Sequence, residues 1–512
     1  MKRLFLSHNL DLERKLFLLV LLITSLFLFY PPYLPMVDLP QHAAQVVMLD
    51  DLWKQQSSWS DLVVLNWDTP YLAGYSIWWL LYQFADIVTS SKILVTLILL
   101  INCWAIHLLR KTFQAPAILE WAALTSFFGF AFQWGFITFL IAIPIGMLFF
   151  ITNKYYLETR EHKYLIGILL LGCLMYFSHI LIFSFFCFIS YCYFLTIHFR
   201  HQNWMQRFQF TLVYLLFAAM LFRYVSKPDL LSFNDYSENY VFAPIWYKIF
   251  TLTYMPWNME YAVWCNISWA LLLILPRYIG YQPTQQHSRY IPLIAFLIIW
   301  FLLPHSLFQT AFIYERFAIF LMPFYYLIWD KNEQANTDED QIQKIKLMRI
   351  IFILTISGLM FKVYYNNIRF THDPTMQTYL KINNTILPEK RILMLFDSPS
   401  PSSGLLTSNT EYLHFGSWYQ AQKHGWTDFN FAAYRPQIVR FKPDKLPPIP
   451  SRSGSATQQG ITQLTNCADY DYLLMKTTEL SENIIKWLSN NPNCNQFHLI
   501  DKQHDWLLLK RI

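Results

Sequence analysis

Long apolar stretches recur along the first 366 residues of the chain and constrain its fold more than any other feature. A helix needs about 20 apolar residues to cross the ~30 Å hydrocarbon layer of a membrane. About eleven stretches approach that length, at residues 15–32, 91–109, 116–133, 136–152, 163–178, 180–198, 208–225, 262–278, 291–307, 311–329 and 348–365. The sequence therefore predicts a polytopic α-helical membrane protein with about eleven spans.

The composition excludes several classes of soluble protein. Hydrophobic residues make up 55% of the chain and charged residues only 14%, whereas about 25% are charged in an average soluble domain. The sequence contains no phosphate-loop, dinucleotide-binding, esterase-elbow or paired-cysteine zinc motif. The net charge of +6 is typical of basic cytoplasmic loops in a membrane protein, so we expect no nucleic-acid partner.

The basic residues of the short loops set the expected orientation, because cytoplasmic loops are enriched in Lys and Arg. With a cytoplasmic N-terminus, the outer side keeps only a few: Lys54, Arg223, Lys227, Lys248, Arg316 and, at the boundary, Lys92. No small-residue cleavage site follows the first span, so we expect a retained helix rather than a signal peptide. An odd number of spans then places the C-terminal segment outside.

Residues 71–87 are apolar enough to be a further span, but counting them would place Arg110 and Lys111 on the outer side. We therefore predict an interfacial helix on the outer leaflet. Its aromatic residues suit the headgroup region: Tyr75, Trp78, Trp79 and Tyr82. The first outer loop then runs over residues 33–90.

The composition changes near Asn366 and divides the chain into a transmembrane domain, residues 1–366, and a soluble α/β domain, residues 367–512. The predicted strands are Arg391–Phe396, Tyr470–Met475, Phe497–Ile500 and Trp506–Leu509, and the predicted helices are Glu411–His424 and Glu479–Asn490. A long surface loop is expected at Pro443–Gly460. Cys467 and Cys494 can form a disulfide if the compartment is oxidising, which the sequence leaves open.

The outer loop opens with an acidic residue, Asp38, at the exit of the first span. Pro40 suits a first helical turn, and Asp38 and His42 are four residues apart, which places them on one face of a helix. A carboxylate here can act as a general base on a hydroxyl, or can bind a divalent cation together with His42. Helix capping by Asp38 is the structural alternative, and the two roles can coexist.

Several short motifs in this arrangement resemble the GT-C superfamily of integral-membrane glycosyltransferases, and the resemblance extends over nearly the whole chain. A long outer loop with an early acid is followed by Trp67-Asp68-Thr69-Pro70-Tyr71-Leu72-Ala73-Gly74-Tyr75. Further segments look like those of little-characterised bacterial members: Phe132–Phe139, Tyr314–Phe317, His414–Tyr419 and Lys423–Trp426.

The resemblance implies transfer of a sugar from a polyprenyl-phosphate donor to a lipid, glycan or protein acceptor, with inversion and with Asp38 as the base. It also implies a bacterial inner-membrane protein whose C-terminal domain is periplasmic. In better-known members a second acid directly follows the first, whereas Leu39 occupies that position here, so the resemblance supports a metal role less strongly and leaves a divalent cation open. Asp50 and Asp51 are alternatives for a second carboxylate, although we expect them to face solvent.

A lipid phosphate near the membrane boundary needs cationic partners. Arg223 and Lys227 are four residues apart at the outer end of one predicted span, and Arg316 lies near the outer start of another. We predict that these three side chains bind the donor phosphate; contact with headgroups or with an outer-loop acid is the alternative. An arginine in a span requires a partner. Glu315 is adjacent to Arg316 in sequence, but on a helix its side chain points about 100° away, so the partner of Arg316 is left open.

Other candidates lie at the same outer level. His179 and His305 are predicted to contribute to substrate binding, with hydrogen-bonded packing as the alternative. The acidic segment Asp229–Glu238 either covers the site or is solvated. Four residues of the C-terminal domain form either a sugar-stacking surface or part of the core: His414, Trp418, Tyr419 and Trp426.

Two other functions are compatible with the sequence. A lipid or sugar transporter or flippase would place ionisable groups near the middle of the bilayer, whereas the charges discussed above collect at its outer edge. A non-catalytic assembly protein with a GT-C-like fold would not require Asp38. The sequence predicts the glycosyltransferase in preference to both.

Overall fold

The computed structural model describes residues 2–226, 240–259, 261–307, 310–332, 339–397 and 410–512. Lys227 and the segment Asp229–Glu238 lie outside these residues, so their predicted roles stay predictions.

The described residues are mostly helical, as predicted. In chain order the helices are α1 (Lys2–Phe27), α2 (Leu39–Trp53), α3 (Leu72–Tyr82), α4 (Ile87–Thr112), α5 (Ile118–Phe127), α6 (Phe130–Trp134), α7 (Ile137–Thr159), α8 (His162–Tyr176), α9 (Ile180–Tyr193), α10 (Trp204–Ser226), α11 (Ile245–Leu252), α12 (Val263–Tyr278), α13 (Ile291–Leu302), α14 (Leu321–Leu327), α15 (Glu339–His372), α16 (Pro374–Thr385), α17 (Gly416–Lys423), α18 (Ile449–Ser453), α19 (Gln458–Thr462) and α20 (Ser481–Asn490). The strands are β1 (Val63–Leu65), β2 (Tyr281–Pro283), β3 (Trp329–Lys331), β4 (Arg391–Phe396), β5 (Trp426–Thr427), β6 (Val439–Phe441), β7 (Tyr472–Lys476), β8 (Phe497–Gln503) and β9 (Trp506–Arg511).

Within the described ranges, five helical segments are long and apolar enough to cross a membrane: Ile87–Thr112, Ile137–Thr159, Ile180–His198, Trp204–Ser226 and Ile342–His372. Three shorter apolar segments lie at His162–Tyr176, Val263–Tyr278 and His287–Leu302. Each of these segments overlaps a predicted span. The prediction of a chain built on several membrane helices is therefore confirmed, whereas the number eleven stays a prediction.

Two predicted spans are interrupted. Residues 116–133 are divided between α5 and α6 at Gly129, where a Cβ atom would lie 2.4 Å from the backbone oxygen of Pro256. Residues 311–329 include a 3-10 helix at Glu315–Phe320 that precedes the short helix α14. Phe312 has a positive φ of 58°, which ends regular backbone just before this turn. Neither stretch is thus a single continuous α-helix.

Helix α3 corresponds to the predicted interfacial helix, but its aromatic residues have a different role from the one expected. It packs against α2, α4 and α7. Tyr75 and Trp78 are buried against these helices, and the Trp78 indole donates a hydrogen bond to the Ser90 hydroxyl at 3.1 Å. The prediction that these two side chains lie among lipid headgroups is therefore wrong, because they fill the space between α3 and its neighbours.

The C-terminal segment contains the predicted strands, joined in a five-stranded sheet of order β5-β4-β7-β9-β8. Strands β5, β4 and β7 are parallel, whereas β9 is antiparallel to both β7 and β8. Cys467 and Cys494 form the disulfide that the sequence left open. The predicted loop Pro443–Gly460 includes helix α18 and the start of α19, and α15 continues to His372, so the boundary at residue 367 falls within a helix.

The first outer loop and the C-terminal segment are joined by backbone hydrogen bonds. Strand β1 pairs with β6 in an antiparallel arrangement. The pairing continues where the Asn66 amide donates to the Ile438 carbonyl at 2.7 Å, and where the Lys442 amide donates to the Leu62 carbonyl at 2.9 Å. This contact brings C-terminal residues against α2 and Asp38.

Close packing of α7 against α9 gives a test of the helical core. A Cβ atom at Gly146 would lie 2.2 Å from the ring of Phe186, which is itself buried. We expect Gly146→Ala to destabilise the protein by about 1–3 kcal/mol because the ring has little room to move. The measurement is the thermal unfolding midpoint of the purified protein in detergent.

Gly358→Ala in α15 is the matched control, because apart from the adjacent backbone of its own helix no described atom lies within 4 Å of its Cβ position. Its unfolding midpoint should equal or slightly exceed that of the wild type, since alanine favours helix over glycine. Equal midpoints for Gly146→Ala and the wild type would contradict the predicted packing.

Candidate active site

Asp38 occupies the turn between α1 and α2, and a second turn holds its backbone in place. Its amide donates to the Trp134 carbonyl at 2.8 Å, and the amide of Val37 donates to the Gln133 carbonyl at 3.1 Å. Gly135 has a φ of +87°, and a Cβ atom there would lie 3.0 Å from the Asp38 nitrogen. Only glycine therefore fits this close approach without strain.

The Asp38 side chain is buried, and among the described residues it accepts no hydrogen bond that caps α2. The capping alternative raised by the sequence is thus not what the structure shows. The carboxylate instead faces a cavity of about 180 Å³.

Four separate parts of the chain form this cavity: the outer loop, the turn before α7, the segment before α14, and the C-terminal segment. Its lining residues are Asp38, His42, Tyr71, Trp134, Phe136, Thr138, Thr310, Ala311, Phe312, Arg316, Phe431, Tyr434, Pro436 and Gln437. Three of the predicted site residues, Asp38, His42 and Arg316, are brought together here.

Arg316 supplies a buried positive charge to the cavity. Its Nε and Nη2 atoms donate to the carbonyls of Phe312 at 3.1 Å and Ala311 at 3.0 Å. Its guanidinium carbon lies 3.8 Å from the centre of the Phe136 ring, a cation–π contact. Tyr71 and Asp38 also interact with it electrostatically. The positively charged side chain is therefore held at the cavity wall without a direct carboxylate partner at hydrogen-bond distance among the described residues.

The environment of Asp38 contains opposing effects on its ionisation. Burial raises the pKa of the carboxyl, whereas the hydrogen-bonding His414 ring and the charge of Arg316 lower it. The net direction is upward. The Nε2 atom of His414 lies 3.4 Å from Asp38 Oδ1.

His42 lines the same cavity and is neutral at neutral pH. Burial, with the positive charge of Arg316 next in effect, lowers the pKa of His42 to about 3. Its Nδ1 atom is 2.7 Å from the Tyr75 hydroxyl oxygen. That hydroxyl donates a hydrogen bond to Gln437 Oε1, so His42 is linked to the C-terminal segment.

The two other histidine candidates are placed near the cavity but not in its wall. The His179 ring stacks on Tyr71 with 5.1 Å between ring centres, and its Nδ1 accepts the Leu181 amide at 3.2 Å. His305 pairs with Glu315 through Nδ1. Glu315 is therefore occupied by His305 and is not the partner of Arg316.

Arg223 is placed away from the cavity wall, in an exposed ion pair with Asp68 at 2.8 Å. Asp50 is buried rather than solvent-facing, and its carboxylate accepts hydrogen bonds from Trp79, Lys54 and Gln83. Asp51 pairs with His424 at 2.9 Å. Neither aspartate therefore supplies a second carboxylate to the cavity.

The C-terminal aromatic residues have the packing role that the sequence left as one of two alternatives. Trp418, Tyr419 and Trp426 are fully buried, and Trp418 stacks on Tyr33 with 4.6 Å between ring centres. His414 alone of the four reaches Asp38. The sequence named His414 through its place in a short motif, but not as a partner of Asp38, because the two residues are hundreds of positions apart.

The described residues contain no group of three or more His, Cys, Asp or Glu side chains placed to hold a metal ion. Asp38 and His42 do share the cavity, but His42 is bonded through Nδ1 to Tyr75. The cation role suggested for this pair stays a prediction.

Two glutamines on one face of α2 attach the C-terminal segment to the outer loop. Gln41 accepts the Phe431 amide at 2.7 Å and donates to the Phe429 carbonyl at 2.8 Å. One turn later, Gln45 accepts the Val439 amide at 2.8 Å and donates to its carbonyl at 3.1 Å. Each amide thus satisfies a donor and an acceptor of otherwise unpaired backbone.

No family model and no curated protein matches this chain. The fold is similar to the crystal structure of ArnT from Cupriavidus metallidurans in the apo state, with a TM-score of 0.52 and 9% identity over 97% of both chains. It is also similar to that of the same protein bound to undecaprenyl phosphate, with a TM-score of 0.51 and 9% identity over 99% of this chain and 98% of the other. At this identity the likeness shows that the chain shares the overall fold of ArnT.

Replacing Gln45 tests the attachment of the C-terminal segment. We expect Gln45→Met to increase the hydrogen-exchange rate of the Val439 amide about two- to tenfold, because a hydrogen bond contributes about 0.5–1.5 kcal/mol. Mass spectrometry of peptides from β6 measures the exchange.

Peptides from β7, whose amides pair within the five-stranded sheet, provide the internal control and should exchange at the wild-type rate. Unchanged exchange at β6 in Gln45→Met would show that this side chain does not protect the strand.

Proposed function

We propose that this chain is an integral-membrane glycosyltransferase that transfers a sugar from a polyprenyl-phosphate donor to an acceptor hydroxyl. The observation that carries the proposal is the shared cavity of Asp38 and Arg316, which presents a carboxylate and a cation to one small space. The fold likeness to ArnT, which has been crystallised with undecaprenyl phosphate, supports a lipid-phosphate donor.

The proposed reaction is an inverting displacement at the anomeric carbon. The acceptor oxygen forms a new bond to that carbon and gives its proton to Asp38, while the bond between the carbon and the phosphate oxygen breaks. The electron pair leaves with the phosphate, whose charge Arg316 compensates. Positioning and charge compensation in a water-poor site supply most of the rate enhancement.

His42 and Tyr71 are proposed to contact the sugar or its phosphate from the cavity wall. His42 is neutral, and because the Tyr75 hydroxyl donates to Gln437, His42 Nδ1–H donates to the Tyr75 oxygen. The free Nε2 of His42 therefore accepts a hydrogen bond without adding charge. His179 supports Tyr71 from behind through ring stacking. Arg223, Lys227 and His305 remain proposed contacts to the lipid-linked donor outside the cavity.

In the proposed topology about eleven spans cross a bacterial inner membrane, the N-terminus is cytoplasmic, and the first outer loop and residues 367–512 face the periplasm as an α/β domain. The excess of Lys and Arg in the opposite loops supports this orientation. A periplasmic site is compatible with the disulfide Cys467–Cys494.

The position of the cavity favours an enzyme over a transporter. Asp38 follows the end of α1, and Arg316 belongs to a short turn rather than to a long apolar helix. Transporters commonly place their ionisable groups near the bilayer midplane. Here both charges lie where the outer loop meets the C-terminal segment.

Asp38→Asn tests the catalytic base. We expect kcat to fall by about 10²–10⁴-fold, because the amide cannot accept the acceptor's proton, while the affinity for the lipid donor stays close to that of the wild type. The assay follows transfer from a polyprenyl-phosphate sugar by purified protein in vesicles.

Asp86→Asn is the matched control. Asp86 caps α4 by accepting the Val88 and Thr89 amides at 3.0 Å, and asparagine caps helices equally well. A non-catalytic assembly protein would tolerate both substitutions equally, so full activity of Asp38→Asn would exclude the proposed base.

Arg316→Met tests the phosphate contact. We expect about 10- to 100-fold weaker binding of undecaprenyl phosphate in vesicles, because a hydrogen bond to a charged group contributes about 1.5–3 kcal/mol. Arg316→Lys should recover part of the affinity, since it restores the charge without the planar guanidinium. Equal affinities for wild type, Met and Lys variants would show that the phosphate binds elsewhere.

A further inference from the structure

The hydrogen bonds around Gln41 fix the direction of its amide. The Phe431 amide is a donor, so the Gln41 atom that it contacts at 2.7 Å is the carbonyl oxygen. The Phe429 carbonyl is an acceptor, so the atom 2.8 Å from it is the Gln41 nitrogen. Two backbone groups of known polarity thus settle an orientation that side-chain shape alone leaves ambiguous.

The same amide nitrogen lies 2.9 Å from Nδ1 of His414. An amide nitrogen only donates, so Nδ1 must accept and carries no proton. In the neutral ring the proton is then on Nε2, the atom 3.4 Å from Asp38 Oδ1. Gln41 therefore fixes the tautomer in which His414 presents an N–H to the carboxylate.

We propose that His414 is a positioning residue for Asp38: its neutral ring, oriented by Gln41, donates Nε2–H to Oδ1 and leaves the second carboxylate oxygen to take the proton of the acceptor. This inference rests on the proposed function of Asp38 as the base. It makes the C-terminal segment part of the catalytic machinery rather than an attached soluble domain.

The distance of 3.4 Å is long for a hydrogen bond. Catalytic hydrogen bonds are often long before substrate binds and shorten in the complex. A small movement of the Asp38 carboxylate toward His414 would shorten the hydrogen bond from Nε2–H to Oδ1 and would turn the second carboxylate oxygen toward the cavity.

The ionisation of the Asp38 carboxyl depends on His414 and on the other charged and titratable groups that face it. Arg316 faces the carboxylate from the segment before α14, and His42, Tyr71 and Tyr75 face it from the outer loop. Burial disfavours the ionised carboxylate. An N–H donor on one oxygen stabilises the ionised form, which is the form that can act as a base.

A purely structural role is the competing explanation. The His414 ring also packs against Phe429 and Phe431, with ring centres 5.0 and 5.8 Å apart. If packing were its only role, His414→Phe would preserve it, because phenylalanine fills nearly the same volume. The N–H donor would then be dispensable.

The first experiment measures the tautomer directly and does not depend on activity. Long-range ¹H–¹⁵N spectra of the full-length protein labelled with ¹⁵N-histidine distinguish a protonated from an unprotonated ring nitrogen, and His414→Gln identifies the signal. We expect Nε2 protonated and Nδ1 unprotonated at neutral pH. A proton on Nδ1 would overturn the proposal.

Gln41→Met should remove this fixed tautomer, so that the His414 signal shifts toward the other tautomer or the doubly protonated ring. Gln45→Met is the matched control, because Gln45 makes the same kind of backbone contacts one turn away without touching His414. An unchanged His414 signal in Gln41→Met would contradict the role of Gln41.

The second experiment compares pH profiles of kcat/KM. The base must be ionised, so activity falls as the pH drops through the pKa of Asp38. Loss of the N–H donor in His414→Phe raises that pKa, and the acid limb should move to higher pH by about one to two units. His414→Gln, which keeps an N–H donor, should have an acid limb close to that of the wild type.

The two proposals fail in different ways. No sugar transfer by the wild type, with the expected tautomer present, would contradict the proposed function. Transfer by the wild type and by His414→Phe with the same acid limb would contradict only the role of His414.

Discussion

Burial of the Asp38 carboxylate is the constraint on which the rest of the site depends. A carboxylate removed from water is unstable unless other groups compensate its charge, and the chain brings two such groups to it from distant parts of the sequence. Arg316 approaches from the segment before α14, and His414 approaches from the C-terminal segment. The close approach of Gly135 fixes the backbone between them. A cavity next to such a carboxylate is suited to proton transfer.

The C-terminal segment closes this arrangement. It is held by the pairing of β1 with β6 and by the paired contacts of Gln41 and Gln45 on one face of α2. These contacts also bring Phe431, Tyr434, Pro436 and Gln437 into the cavity wall. The outer loop and the C-terminal segment thus form a single structural unit, and separation of the two would leave Asp38 without the contact to His414.

The sequence predicts the parts of this structure that depend on local patterns. Apolar runs identify the membrane helices because each needs a minimum length, and short apolar runs identify buried strands such as β4 and β9. Asp38 and Arg316 could be singled out because a charged side chain beside an apolar run is unfavourable unless it has a partner or a function. The contact of Asp38 with His414 could not, since no local pattern encodes a pairing across 376 residues. The break at Gly129 depends on Pro256 in the same way.

In the proposed mechanism one donor occupies a single cavity between Asp38 and Arg316. A cryo-electron microscopy structure of the full-length protein with a bound polyprenyl-phosphate sugar tests it most directly. We expect the phosphate within hydrogen-bond distance of the Arg316 guanidinium, with the anomeric carbon facing the Asp38 side of the cavity. A donor whose phosphate lies outside this cavity, or whose sugar is directed away from Asp38, would contradict the account.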